Sequence, residues 1–166
     1  MLYELAIAFV IVGICLAINM TGMVILADWL VGRRARIDQH ASIAHSTLVL
    51  MMVFTVIIFL HLADAFIWAG FYSWRGLFPD YETSVYFSLV SYATIGYGDV
   101  VLPRAWRLLG TIEGISGVLL CGLSTAFLFA IVNAFIRARI QRLVRGSDVL
   151  DEAVVPGRPP HQADKR

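Results

Sequence analysis

The sequence predicts an all-α membrane protein with three spanning helices and one short helix that enters the membrane without crossing it. Of its 166 residues, 59% are hydrophobic and only 15% are charged, and its mean hydropathy is +0.77. Three apolar stretches reach the roughly 20 residues that a helix needs to cross a bilayer, and a fourth, between the second and third, is too short. The net charge of +1 gives no reason to expect a nucleic-acid partner.

The first apolar stretch runs from about residue 3 to residue 27, within an N-terminal region, 1–42, that ends in a basic loop. A signal peptide is the alternative interpretation. It fails because the stretch is too long and because Glu4 stands where a basic segment is required. We therefore expect a retained spanning helix, whose Asn19 and Thr21 can hydrogen-bond a neighbouring helix.

Residues 43–136 form the second predicted region. It comprises an outer spanning helix, a short helix, a glycine-rich turn and an inner spanning helix, at 43–71, 83–93, 94–99 and 104–136. Asp80 and Glu82 favour a helix start, because carboxylates near a helix N-terminus interact well with its free amides and its dipole. Non-helical backbone inside a membrane is tolerated only where protein or a water-filled cavity covers it. The short helix and the turn are therefore predicted to form a re-entrant loop.

Basic residues predict the orientation of the chain. Arginines cluster after the first and third spanning helices, at Arg33, Arg34 and Arg36 and at Arg137, Arg139, Arg142 and Arg145. The positive-inside rule places both clusters in the cytoplasm, so the N-terminus and the turn face outward. Residues 137–166 are then a basic cytoplasmic end followed, from Gly146, by a polar tail that we expect to be disordered.

The turn carries the pattern that predicts a function. It consists of Thr94, Ile95, Gly96, Tyr97, Gly98 and Asp99. Glycine at alternate positions tolerates positive φ, so that successive carbonyl oxygens can point at one axis. Four such turns would stack oxygen rings that replace the hydration shell of K⁺, with the Thr94 hydroxyl adding a ligand below. One turn cannot close a pore, so we expect a homotetramer around a central pore.

This turn resembles the selectivity filter of the potassium channel family, with Ile95 in place of the usual valine. The resemblance covers residues 43–136 and is to small bacterial channels of the two-helix pore type, here with an extra N-terminal helix. It implies passive, potassium-selective conduction across the cell membrane, with no cofactor beyond the permeant ion and no enzymatic activity. It also implies that Asp99 concentrates cations at the outer mouth and that Tyr86 and Phe87 support the filter.

The inner helix carries the candidates for gating. The family's inner helix bends at a glycine, which makes Gly117 and Gly122 candidate hinges, although either can instead serve close helix packing. Thr125, Phe129 and Asn133 follow at helical spacing as candidates for the cavity and the inner constriction.

Ionisable residues inside spanning helices are costly and are usually paired. His61 and Glu113 lie about 13 and 15 Å below the outer ends of their helices at 1.5 Å per residue, so we expect them to hydrogen-bond each other, within a subunit or between neighbours. The same arithmetic pairs Asp64 with Arg107. A functional alternative is a proton sensor at His61.

Three other functions are the alternatives to a potassium channel. A weakly selective cation channel or a non-conducting regulatory subunit is disfavoured because the filter run is complete. A haem protein would use His45 and His61. These histidines lie about 24 Å apart along one helix axis, so they cannot bind one iron within a subunit.

Overall fold

The computed structural model describes residues 2–39 and 43–154, and within those ranges the chain is helical without a strand. Four α-helices follow one another: α1, Leu2–Gln39; α2, Ile43–Trp74; α3, Tyr81–Tyr92; and α4, Arg107–Val154, which a short 3₁₀ turn, Arg104–Trp106, precedes. Three segments are long and apolar enough to cross a membrane, at Leu2–Gly32, Ser46–Trp74 and Arg104–Arg145. The predicted all-α fold with three spans is confirmed.

Two helices extend further than the sequence predicted. Residues 28–39, expected as part of a basic loop, continue α1. The prediction of disorder from Gly146 was wrong for residues 146–154, which continue α4. Residues 147–154 contain neither glycine nor proline, and the first residue that cannot donate to a helix is Pro156. The rest of the expected disordered tail, 155–166, lies outside the described residues.

The short helix α3 begins at the acidic cap that the sequence indicated. The Asp80 side chain accepts a hydrogen bond from the Thr83 amide at 2.7 Å. This bond to the ionised form lowers the pKa of the Asp80 carboxyl. The helix ends at Tyr92 because Thr94 takes a φ of +57°, a conformation that cannot continue a right-handed helix.

The core lies where the three long helices meet. Its buried apolar side chains include Ala8, Ile11 and Cys15 of α1, Trp68 and Tyr72 of α2, and Leu109 and Leu120 of α4. The face of α3 that carries Ser84, Ser88 and Tyr92 is buried. The Ser88 hydroxyl lies 2.6 Å from the Ala65 carbonyl oxygen of α2. The short helix is thereby fixed to α2, and the turn that follows it has a rigid base.

Residues from Phe129 onward form a second unit. In the described range this unit is the continuation of α4 to Val154. Several of its apolar side chains are exposed within one chain, among them Phe129, Ile136, Ile140 and Leu143.

Candidate functional site

The backbone of the 94–98 segment alternates in conformation. Thr94, Gly96 and Gly98 have φ values of +57°, +57° and +79°. Glycine adopts such values at little cost, whereas a residue with a Cβ is strained by about 1–2 kcal/mol there. Thr94 is the one non-glycine with positive φ among the described residues. A regular strand has no such alternation, and the predicted stack of carbonyl oxygens requires a departure of this kind.

Hydrogen bonds fix the start of this segment to the end of α3. The amides of Ile95 and Gly96 both donate to the Val90 carbonyl oxygen, at 2.9 and 3.4 Å. The Thr94 amide donates to the Ser91 carbonyl oxygen at 2.9 Å. The described peptide bonds are trans, so each amide N–H points opposite to the carbonyl of the preceding residue. The carbonyl oxygens that precede these amides therefore point away from α3.

The C-terminal end of the segment is held by Asp99. The Tyr86 hydroxyl donates to Asp99 Oδ2 at 2.7 Å, and the Val100 amide donates to Oδ1 at 3.0 Å. The Tyr86 hydrogen bond lowers the pKa of the Asp99 carboxyl, and the same bond raises the pKa of Tyr86. The Tyr97 side chain of the same turn is 69% exposed within one chain.

Phe87, the other residue predicted to support the turn, packs in a different direction. Its ring centroid lies 5.4 Å from that of Tyr72 and 4.9 Å from that of Phe78. A Cβ on Gly110 of α4 would lie 3.0 Å from the Phe87 ring. Phe87 therefore joins α3 to α2 and α4, whereas Tyr86 contacts Asp99 at the C-terminal end of the turn.

Within one chain, His61 and Glu113 do not form the predicted pair, and each has other partners. Glu113 is fully buried. Its Oε2 accepts from the Tyr72 hydroxyl at 2.8 Å, and its Oε1 lies 2.5 Å from Ser88 Oγ. His61 Nδ1 instead lies 2.8 Å from the Tyr92 hydroxyl. Depth along two helices could not predict this, because α3 lies between them and supplies one partner to each residue, Ser88 to Glu113 and Tyr92 to His61.

Asp64 and Arg107 do not form their predicted pair within one chain either. Arg107 Nε donates to the Leu102 carbonyl oxygen at 3.3 Å. Asp64 Oδ2 accepts from the Tyr92 hydroxyl at 2.9 Å and from Asn19 Nδ2 at 2.5 Å. The expectation that Asn19 bonds a neighbouring helix is confirmed.

Sequence reasoning missed Ser88 and Tyr92, the α3 side chains that contact the buried carboxyls of Glu113 and Asp64, respectively. A signal for them exists in the sequence. Ser84, Ser88 and Tyr92 recur every fourth residue along α3, the spacing that places polar side chains on one face of a helix.

Close packing accounts for three of the first four glycines of α4, which are Gly110, Gly114, Gly117 and Gly122. A Cβ on Gly114 would lie 3.1 Å from the Ser91 carbonyl oxygen, and one on Gly117 would overlap the Tyr92 carbonyl oxygen. Gly110 faces Phe87, as described above. A Cβ on Gly122 would have no atom within 4 Å. Packing therefore explains Gly117, and Gly122 stays the candidate hinge without a packing role within one chain.

A family model described as an ion channel matches residues 46–134. The chain belongs to this ion channel family. The match spans nearly all of α2, the whole of α3 and the 94–99 turn, and α4 as far as residue 134. Helix α1 lies outside it. No curated protein and no solved structure matches the chain. The protein is thus a multi-pass membrane protein with an ion channel domain and an additional apolar helix.

The gating candidates of this ion channel all lie on α4. The Thr125 hydroxyl donates to the Cys121 carbonyl oxygen at 2.8 Å, within its own helix. Phe129 is 68% exposed and Asn133 is partly buried. Their roles in the cavity and the constriction stay predictions.

Replacing Tyr86 with phenylalanine is expected to move the acid sensitivity of the ion channel to higher pH. The lowered pKa of Asp99 keeps its carboxylate charged as the pH falls. Without the Tyr86 hydroxyl this pKa returns toward its ordinary value, so Asp99, which is predicted to lie at the mouth of the pore, loses its charge at a higher pH. Single-channel conductance, titrated from the side that Asp99 faces, measures the shift.

Tyr81, an exposed tyrosine at the opposite end of α3, provides the matched control. The Tyr81→Phe channel should titrate as the unmodified channel does. Identical titrations of the Tyr86→Phe and unmodified channels would contradict the role given to the Tyr86–Asp99 hydrogen bond.

Proposed function

We propose that this chain is one subunit of a homotetrameric, potassium-selective channel that conducts K⁺ passively through the backbone of residues 94–98. The observation that carries the proposal is the backbone of this segment. Its φ is positive at every second residue, and its first amides are bound to the end of α3. Carbonyl oxygens, directed away from α3, are then left as the ligands.

The chemistry of these ligands suits K⁺. Neutral carbonyl oxygens in successive rings can replace the hydration shell of a monovalent cation, whereas protein sites for Ca²⁺ usually include carboxylates. The C-terminus of α3 lies directly before the segment, and the negative end of a helix dipole favours a cation nearby. Four copies of Asp99, whose pKa the Tyr86 hydrogen bond lowers, would raise the cation concentration at the mouth.

The exposure of the segment supports a tetramer. Residues 93–99 are exposed within one chain, with Ile95 at 53% and Tyr97 at 69%. A re-entrant segment of this kind needs protein or a water-filled cavity to cover it. Identical neighbours arranged around a fourfold axis supply that cover and complete the oxygen rings.

The proposal includes an orientation. The basic clusters at the C-terminal end of α1 and toward the end of α4 favour a cytoplasmic location for both. The N-terminus and Asp99 then face outward, and the C-terminus lies in the cytoplasm of a bacterial cell.

The proposal is tested by the reversal potential of the purified protein in planar bilayers, with K⁺ on one side and Na⁺ on the other. We expect a reversal potential close to the equilibrium potential of K⁺. Equal permeability to the two ions would support the alternative of a weakly selective cation channel. Absence of current from an intact tetramer would support a regulatory subunit. Either result would overturn the proposal.

The Gly98→Ala channel is expected to lose this selectivity, because a Cβ at a φ of +79° costs about 1–2 kcal/mol in each chain. Gly76 provides a matched control, since its φ is +62° and an added Cβ there, as at Gly98, would have no atom within 4 Å. It follows α2 and lies outside the 94–98 segment. The Gly76→Ala channel should keep its selectivity despite similar backbone strain.

A further inference from the structure

The helix that the family match leaves out, α1, carries a polar side chain in the centre of the fold. Asn19 is fully buried. Its Nδ2 donates to the Cys15 carbonyl oxygen at 3.1 Å, which fixes the amide against its own helix, and to Asp64 Oδ2 of α2 at 2.5 Å. A buried amide is costly within a membrane unless its partners are positioned. Its place on α1 therefore requires an explanation beyond apolar packing.

The contact continues from α2 to α3. The Asp64 carboxyl, also fully buried, accepts from the Tyr92 hydroxyl at 2.9 Å. On its other side the Tyr92 hydroxyl lies 2.8 Å from His61 Nδ1. Because that hydroxyl donates its one proton to Asp64, the histidine contact requires a proton on Nδ1. The ring of Tyr92 is thus held by two residues of α2, one of which is itself held by Asn19.

Tyr92 lies where α3 joins the 94–98 segment, since it is the last residue of α3 and stands two residues before Thr94. Its carbonyl group faces Gly117 of α4. The carbonyl oxygens of Val90 and Ser91, which accept from the first amides of the filter, belong to the same final turn of α3. A change in the seating of the Tyr92 ring would move this turn, and with it the start of the filter.

We propose that Asn19 is a positioning residue for the selectivity filter, acting through Asp64 and Tyr92. The extra N-terminal helix, α1, then helps to position the start of the filter. This inference rests on the proposed conduction through residues 94–98, and it assigns to α1 a role that the family match does not cover. A helix that only enlarged the lipid-facing surface would need no buried amide.

The test compares Asn19→Leu, which keeps a similar volume and removes the donor, with the unmodified channel. The permeability ratio of K⁺ to Na⁺ is expected to fall about threefold or more, within the range of couplings that hydrogen-bond networks transmit. Met23→Ala is the matched control, because Met23 is also buried on α1, one turn further along. It should weaken packing and leave the permeability ratio unchanged.

Tyr92→Phe removes a single hydroxyl and tests the same chain of contacts with little risk to folding. It should lower the ratio as Asn19→Leu does, and the double variant should lower it no further, because both changes break one network. An unchanged ratio in Asn19→Leu, or effects of the two changes that multiply, would overturn the inference. A lack of selectivity in the unmodified channel would instead overturn the proposed function.

A second readout does not depend on current. Hydrogen exchange at the amides of residues 94–96 in the purified protein should be faster in Asn19→Leu and Tyr92→Phe than in Met23→Ala. Equal exchange in all three variants would overturn the inference whatever the ion selectivity of the channel.

Discussion

Replacing Gly117 with alanine is expected to prevent assembly of a conducting channel. The added Cβ would overlap the Tyr92 carbonyl oxygen, which is backbone and cannot rotate away as a side chain does. Overpacking typically costs about 1–3 kcal/mol, and a rigid neighbour favours the upper part of that range in every chain. Gel filtration of the detergent-solubilised protein and potassium flux into liposomes measure the two parts of the expectation.

Gly122 offers a control on the same helix. A Cβ at Gly122 meets no atom within 4 Å in one chain, so the Gly122→Ala protein should assemble as the unmodified protein does. Altered opening in that variant, with normal assembly, would support the hinge assigned to this position. Normal assembly and flux in Gly117→Ala would contradict the close contact between α3 and α4.

Two substitutions of Glu113 are expected to differ strongly in stability. Glutamine should be tolerated, whereas leucine should be strongly destabilising. Ser88 Oγ lies 2.6 Å from the Ala65 carbonyl oxygen and 2.5 Å from Glu113 Oε1. Both contacts need a proton between the oxygens, and a serine hydroxyl has one. Since a carbonyl only accepts, the second proton has to come from the side chain at 113. A glutamine amide can supply it and still accept from the Tyr72 hydroxyl.

Leucine at position 113 can neither donate a hydrogen bond to Ser88 Oγ nor accept one from the Tyr72 hydroxyl. The buried Tyr72 hydroxyl would lose its acceptor, at a cost of about 1–3 kcal/mol per chain. The Tm of the purified protein should therefore fall for Glu113→Leu and change little for Glu113→Gln. Adding Tyr72→Phe to Glu113→Leu removes the unsatisfied hydroxyl and should restore part of the lost stability. A large loss in Glu113→Gln would contradict the hydrogen-bond assignment.

Features set by neighbouring residues could be predicted from the sequence. The spans follow from apolar length, and the start of α3 follows from the capping chemistry of Asp80. The turn follows from alternate glycines, whose positive φ the structure shows at Gly96 and Gly98. Each of these depends on one contiguous segment of the chain, for which local propensities decide the outcome.

The partners of the buried polar residues could not be predicted in the same way. Depth along a helix gives one coordinate, and hydrogen bonding depends on the rotation of each helix as well. His61 and Glu113 agree in depth, yet their partners are Tyr92 and Ser88 of the intervening helix. The Ser88 and Tyr92 side chains of α3 carry no charge, so matching residues of opposite charge does not identify them as partners.

The roles of the α4 glycines could not be predicted from the sequence for a different reason. Gly117 and Gly122 look alike in the sequence, because each is a gap in the side-chain surface of one helix. Only the facing atoms distinguish them. Tyr92 lies against the first, whereas no facing atom of the described residues would lie within 4 Å of a Cβ at the second. A sequence shows where a side chain is missing, and the structure shows what fills the space.

The buried amide of α1 limits how far this chain can be shortened. A version cut back to the matched range, 46–134, would keep Asp64 and lose Asn19, its partner at 2.5 Å. The carboxyl would then border acyl chains, where polar groups are expensive. Engineering a minimal pore from this scaffold thus calls for an apolar replacement at position 64, together with a new means of seating the Tyr92 ring.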